Sequence, residues 1–299
     1  MGALDGKAAV VTGAGRGIGR GHALQLAKAG ASVVVNDIDG DVAAEVVAEI
    51  EAFGGSALAN SDSVGVRAGA HSMVAACVEA FGKIDIMLAN AGIARDRTFL
   101  KMSEEEFDSV MHVHVKGTFL CHQAAALQIQ AQGSGGVLLS TVSAAHFGNF
   151  GQTNYAGAKG AIASMTYSMA LELARYGIRV NAISPSGSTR LSDTYVGPDG
   201  KKHPMPFIDP ELNGAMLVYL CSDEGNAISG QVFGTGGERI ALLEQPKYGH
   251  TLFMPGGWTL DAVRKHFPPN LGNRLEPIGI TKRPYPFADG IRPPTAQSS

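Results

Sequence analysis

A chain of 299 residues with 45% hydrophobic content is long enough to bury a substantial core, in one large α/β domain or two small ones. A formal net charge of −3 and a pI of about 6.3 leave no basic surplus for a nucleic-acid or anionic-membrane partner, so an anionic ligand has to be met locally. Three cysteines, Cys77, Cys121 and Cys221, without a CxxC pair, exclude a disulfide framework or zinc knuckle and fit a reducing compartment.

The N-terminal stretch from Met1 to Gly13 has no charged segment ahead of a long apolar run, and no window approaches the ~18 apolar residues of a membrane span. The expected location is the cytoplasm. Ala8 to Thr12 is a short apolar run that ends in Gly13-Ala14-Gly15-Arg16-Gly17-Ile18-Gly19, and a helical pattern through Leu24, Leu26 and Ala27 follows. This order reads as strand, glycine turn and helix. Ser32 to Asp37 is a second buried strand that ends in an acid. A helix near 40–53, a strand near 56–60, a helix near 66–81 and the strand Ile84 to Ala89 come next. One long helix from Ser103 to Gln132, the strand Gly136 to Thr141, a helix beginning near Tyr155 and the strand Ile178 to Ser184 continue the alternation. A helix around 208–222 and a last strand at Val232-Phe233 complete it. Strands alternating with helices predict an α/β fold: a doubly wound parallel sheet of about seven strands with helices on both faces.

Proline divides the chain. None of the 14 prolines precedes Pro185, and nine follow residue 240. Residues 1–240 are therefore expected to form the regular α/β domain, and 241–299 a proline-rich extension that wraps or flanks it without being an independent domain.

The glycine turn carries the first chemical signal. It follows a strand, opens a helix and precedes, by about 20 residues, a strand ending in Asp37, which is the context of a Rossmann-type dinucleotide site. Glycines let backbone amides and the helix N-terminus approach a pyrophosphate, and the acid takes a ribose diol. Asp37 would repel a 2′-phosphate, which favours NAD(H) over NADP(H); Arg16, a basic residue in the same turn, argues the other way. The second signal is Tyr155 and Lys159, four residues apart and so on one face of a helix. A phenol is a poor acid/base at neutral pH, with an ordinary pKa of about 10. A nearby ammonium and the positive helix end would favour its phenolate and make it a usable general acid/base. The nine histidines form no HxxxH or HExxH spacing, so no metal site is predicted.

These motifs together resemble the short-chain dehydrogenase/reductase family over residues 5–240. Thr12 to Gly19 matches the family's TGxxxGxG, and Tyr155 and Lys159 match its YxxxK. Ala89-Asn90-Ala91-Gly92 matches NNAG except that Ala89 replaces the first Asn. The resemblance implies that Asp62 contacts adenine, that Asn90, Ala91 and Gly92 line the cofactor cleft, and that the segment from Asn181 through Pro185 to Gly187 packs against the nicotinamide. Two departures stand out. In Val113-His114-Val115-Lys116-Gly117, His114 occupies the place of the family's usual catalytic Asn. It is either part of an altered proton relay or a satisfied core residue. The serine expected to hold the reacting oxygen falls on Val142 when counted back from the tyrosine but on Ser143 when counted along the preceding strand, so Ser143 is taken, with Thr141 as the alternative.

Within the family, the runs Ile93 to Phe99 and Gly148 to Tyr155 resemble the (3R)-hydroxyacyl-CoA dehydrogenase domain of the peroxisomal multifunctional β-oxidation enzymes and their bacterial relatives, some of which oxidise 17β-hydroxysteroids. The resemblance implies an NAD-dependent oxidoreductase interconverting a secondary alcohol and a ketone on a bulky lipid-type small molecule, either an acyl-CoA or a steroid. Arg95, Arg97, Lys101, Arg190, Lys201 and Lys202 would serve coenzyme A phosphates; Phe147, Phe150, Phe207 and Trp258 would build an apolar slot for a steroid. The Tyr155 helix runs uncharged from Ala161 to Leu171, which predicts a homodimer or homotetramer. A non-catalytic NAD(H)-binding protein on the same fold is the competing class.

Overall fold

The structure is a computed structural model that describes residues 2–188 and 207–280. Arg190, Lys201 and Lys202, expected above to serve coenzyme A phosphates, lie outside the described residues. Strands β1 (Ala8–Thr12), β2 (Ser32–Asn36), β3 (Ala57–Asn60), β4 (Ile86–Ala89), β5 (Gly136–Thr141), β6 (Ile178–Pro185), β7 (Val232–Gly236) and β8 (Arg239–Leu242) form one sheet in the order β3-β2-β1-β4-β5-β6-β7-β8. Every neighbouring pair is parallel except β7 with β8.

Period-2 alternation divides each strand between two cores. Ala9, Val11, Val33, Val35, Ile86, Leu88, Val137 and Leu139 face one side, against α1 (Gly17–Lys28), α2 (Gly40–Ala52) and α7 (Gly214–Cys221). Ala8, Val10, Val34, Met87, Leu138 and Val180 face the other, against α3 (Arg67–Phe81), α5 (Gly117–Gln132) and α6 (Thr153–Leu173). The central strands are buried along their whole length. Truncating such a site, as in Leu138→Ala, typically removes ~2–5 kcal/mol.

Three elements differ from the sequence expectation. The sheet has an eighth strand: Gly237, in the left-handed region at φ 58, makes a two-residue turn that folds β8 back antiparallel onto β7. A Cβ on Gly236 would lie 2.5 Å from the Ser186 carbonyl oxygen, so only glycine fits where the turn leaves the sheet. The expected single helix from Ser103 to Gln132 is divided. It begins at α4 (Glu104–Met111) on a capping box between Ser103 and Glu106, then widens into a π-helical turn over His112–Lys116 before α5. Hydrophobic periodicity does not register a one-residue widening of this kind. Finally, Pro210 opens a short 3-10 turn, so the helix expected from 208 starts at Gly214.

Beyond β8 the extension contains α8 (Leu260–Asn270), capped by Thr259, whose hydroxyl accepts the Ala262 N–H at 3.2 Å. The chain then returns to the domain, where the Ile280 N–H donates to the Gly148 carbonyl at 3.1 Å. All three cysteines are buried free thiols. Among the described residues no helix is long and apolar enough to cross a membrane.

Candidate active site

The sheet order reverses between β1 and β4, because the chain moves outward to β3 before returning. In a doubly wound sheet the crevice at such a switch point, beyond the carboxyl ends of the strands, is where ligands bind. A cleft of about 860 Å³ opens there, within the ~300–1,000 Å³ of ligand pockets. Residues following six strands line it: Gly13 and Arg16 to Gly19 after β1, Asp37 after β2, Asp62 after β3, Asn90 to Arg95 after β4, Ser143 after β5, and Pro185 with Gly187 at β6. Of the residues singled out from sequence, Arg16, Gly17, Ile18, Ala91, Gly92, His114, Tyr155 and Lys159 also line it. Gly15 does not. Its N–H donates to Asp37 Oδ2 at 3.1 Å, so it fixes the acid from behind.

The glycine turn is a backbone cradle. Gly13 and Gly17 sit at φ 60 and 54, the left-handed region that favours glycine. A Cβ at Gly19 would lie 2.0 Å from the Gly13 carbonyl oxygen. This close-packed turn at the start of α1 fits a pyrophosphate. Asp37 Oδ1 accepts the Asp39 N–H at 3.1 Å, which leaves its carboxylate at the cleft edge. Arg16, the residue that argued for a 2′-phosphate, is held by Asp39 at 2.8 Å. Asn36 Nδ2 donates to Asn60 Oδ1, and Asn60 Nδ2 donates to Asp62 Oδ2, both at 2.7 Å, so the ends of β2 and β3 together position Asp62.

Tyr155, Lys159, Ser143 and His114 meet at the other end of the cleft. Ser143 faces the Tyr155 hydroxyl and acts to lower the phenol's pKa. Thr141, the alternative, donates its hydroxyl to Asn90 Oδ1 at 3.2 Å, and its carbonyl accepts from Lys159 Nζ. Lys159 Nζ lies 5.6 Å from the Tyr155 ring centroid. Burial dominates both groups. It pushes the Tyr155 phenol up to about 12, against the lowering effect of Ser143, and pushes the Lys159 ammonium down to about 7. The protein by itself therefore holds the phenol protonated, whereas the helix-spacing argument expected Lys159 to favour the phenolate. Desolvation outweighs a charge that is not in contact with the hydroxyl.

His114 projects from the π-helical turn and meets Tyr155 edge-on, with ring centroids 5.3 Å apart. Its Nε2 lies 3.0 Å from the Ile93 N–H nitrogen and 2.8 Å from the Ile93 carbonyl oxygen, so one tautomer accepts and the other donates. Burial pushes its pKa down to about 3, which keeps the ring neutral. His114 is thus a buried residue bonded to the Ile93 backbone through Nε2 that also lines the cleft.

Other expectations are not brought to the cleft. Arg97 is engaged by Glu106 at 2.9 Å. Trp258 stacks against His266 of α8, with ring centroids 6.3 Å apart. Neither they nor Phe147, Phe150 and Lys101 line the cleft. Among the described residues no cluster of His, Cys, Asp or Glu could hold a metal ion. Sequence reasoning placed Thr12 in the glycine motif but gave no role to its buried hydroxyl, which accepts the N–H groups of Asn90 and Ala91 at 3.0 and 3.1 Å, nor to Asn154, buried beside Tyr155. A threonine ending a strand and an asparagine beginning a helix carry no signal until the partner strands are known.

A family model described as short chain dehydrogenase matches residues 7–194. A hydroxyacyl-CoA dehydrogenase of Mycobacterium tuberculosis is 39% identical over 81% of this chain and 81% of its own. The peroxisomal multifunctional enzyme type 2 of Mus musculus is 36% identical over 80% of this chain but only 33% of its own length, so the chain corresponds to about a third of that enzyme. Among solved structures, a short chain dehydrogenase from Mycobacterium avium superposes with a TM-score of 0.82 at 36% identity, over 93% of this chain and 98% of its own. A 7α-hydroxysteroid dehydrogenase complexed with NADH and 7-oxo glycochenodeoxycholic acid superposes with a TM-score of 0.68 at 32% identity, over 77% of this chain and 93% of its own.

Removing one oxygen tests the constellation. Tyr155→Phe deletes the phenol oxygen and little else, so if Tyr155 transfers the proton, turnover of a secondary alcohol should fall by roughly 10²- to 10⁴-fold while dinucleotide affinity stays within about twofold. Steady-state kinetics with a parallel NADH fluorescence titration make the comparison, and a variant keeping half the wild-type kcat would remove Tyr155 from the chemistry.

Proposed function

The chain belongs to the short chain dehydrogenase family and is an oxidoreductase acting on CH–OH groups, and on that premise we propose that it interconverts a secondary alcohol and a ketone on a (3R)-hydroxyacyl-CoA, with NAD(H) as cofactor. The observation that carries the proposal is one cleft with a glycine cradle and Asp37 at one end and Tyr155, Ser143 and Lys159 at the other. Similarity to a hydroxyacyl-CoA dehydrogenase over most of both chains supports the substrate class.

In this mechanism the backbone at Gly13, Gly17 and Gly19 holds the pyrophosphate, Asp37 accepts from the adenosine ribose hydroxyls, and Asp62 lies toward the adenine. Asn90, Ala91, Gly92 and Pro185 wall the nicotinamide end. A nicotinamide bound there supplies hydride transfer at its C4. The Tyr155 hydroxyl exchanges the proton on the substrate oxygen, and Ser143 hydrogen-bonds both that oxygen and the phenol. Lys159, which donates to the Thr141 carbonyl, keeps an amine donor beside the pair and is the group that would hold the nicotinamide ribose. His114 and Val113 close the wall behind Tyr155.

Cofactor choice follows from Asp37. The expected preference for NAD(H) is at least roughly tenfold in kcat/KM, or about 1.4 kcal/mol, and Asp37→Ala should narrow it. Equal rates with NADP(H) in the wild type would show that Arg16 escapes Asp39 and outweighs the acid.

The substrate is tested by salt. Coenzyme A is polyanionic, and Arg95 lines the cleft. The kcat/KM for an acyl-CoA should therefore drop by roughly tenfold from low to high ionic strength, and Arg95→Ala should flatten the dependence. Similarity to a hydroxysteroid dehydrogenase motivates the competing substrate class; steroid turnover that ignores salt, with no thioester activity, would move the assignment there.

The same proposal includes a homodimer or homotetramer through α5 and α6. These helices leave an open groove of about 480 Å³ lined by Phe119, Leu127, Met165 and Met169, and Phe119 and Leu127 are 42% and 52% exposed. Apolar residues on an open helix face call for cover. A 31.0 kDa particle in light scattering at micromolar concentration would reject the assembly.

A further inference from the structure

The segment that follows β4 is tied to the first turn of α6 at several points, none of them part of the acid/base pair. The Arg97 N–H donates to the Gly151 carbonyl at 2.8 Å. The Gln152 amide donates to Asp96 Oδ2 at 2.8 Å and itself accepts from Asn149 Nδ2 at 2.8 Å. Asn154 does most. Its Nδ2 donates to the Arg95 carbonyl at 2.9 Å and the Glu106 carbonyl at 3.1 Å, and its Oδ1 accepts the Tyr155 N–H at 2.8 Å. It is 0% exposed. One side chain therefore joins the cleft wall at Arg95, the α4 backbone and the residue that carries the phenol. Any other side chain at this position leaves buried backbone groups without partners.

We propose that Asn154 and Asp96 are positioning residues for Tyr155: Asn154 locks the substrate-facing wall at 94–97 in register with the phenol, and Asp96, which accepts from Gln152 at the cap of α6, ties that wall to the start of the helix that carries the phenol. The inference rests on the oxidoreductase function proposed above. The charged and titratable groups around the phenol are Lys159 on its own helix, His114 from the π-helical turn and Asp96 from the β4 segment. Arg97, next to Asp96, is engaged by Glu106. Asp96 adds to the burial that raises the Tyr155 pKa. Its charge thus opposes the phenolate and favours the protonated form that delivers a proton to a ketone oxygen.

Two variants of the full chain, each assayed with NAD(H), test this. Asp96→Asn keeps an acceptor for Gln152 and removes the charge, so the limb of kcat/KM against pH that reports Tyr155 should move to lower pH by ~0.5 unit or more. Asn154→Ser loosens the wall, so kcat should fall by roughly tenfold with KM much less changed, while NADH affinity holds and amide exchange quickens locally at 95–97 and Tyr155. An unmoved pH profile in Asp96→Asn overturns the proposal, as does full kcat in Asn154→Ser; if Asn154→Ser does not fold, Asp96→Asn decides alone. The wild type separates the two levels. No turnover over a panel of alcohols and ketones rejects the oxidoreductase function and the positioning role with it, whereas wild-type turnover with unaltered variants rejects only the positioning role.

Discussion

Asn90 is the contact on which the arrangement of the cleft depends. Its Nδ2 donates to the Thr12 and Gly13 carbonyls at 3.1 and 3.2 Å, and its Oδ1 accepts from the Thr141 hydroxyl. The Thr141 carbonyl in turn accepts from Lys159. A hydrogen-bond chain thus crosses the carboxyl edge of the sheet from the glycine turn after β1, through β4 and β5, to the acid/base helix. Because buried polar groups without partners typically destabilise by ~1–3 kcal/mol each, no member can shift alone. The cradle and the phenol are held in a common frame although 142 positions separate Gly13 from Tyr155.

That frame is also dry, and dryness decides the electrostatics. Lys159 is 3% exposed and His114 2%, and burial is the largest influence on the pKa of each and of Tyr155. All three groups are driven toward their neutral forms, because burial disfavours the charged one. The π-helical turn supplies the third member. An unbroken α-helix over the same residues would rotate His114 relative to α4, away from the Ile93 backbone that now fixes it.

Packing explains why function collects at this edge. Both faces of the sheet are filled by helices, so along the strands side chains are committed to the two cores. Only at the carboxyl ends, where loops leave the sheet, are polar side chains free to converge. The β7–β8 hairpin and the extension beyond it add structure at the far edge, and the return of the chain to Gly148 brings that extension beside the loop between Ser143 and Tyr155.

What the sequence determined by itself was the alternation of buried strands and helices, the glycine turn, Asp37 at the end of β2 and the Tyr155/Lys159 pair. Each is a local pattern: the strands are continuous apolar runs, the turn needs glycine for backbone geometry, and the pair needs only a helical repeat. Tertiary structure decided the rest, because it depends on which strand ends are neighbours. The engagement of the Thr141 hydroxyl by Asn90 follows from β5 lying beside β4. The engagement of Arg16 by Asp39 and of Arg97 by Glu106, the widening of the helix at His114 and the burial of Asn154 under two foreign carbonyls are likewise contacts between distant segments. Spacing along a chain cannot encode them, since a hydrogen bond or a desolvated charge is set by the neighbours that folding brings and not by the residue that carries it.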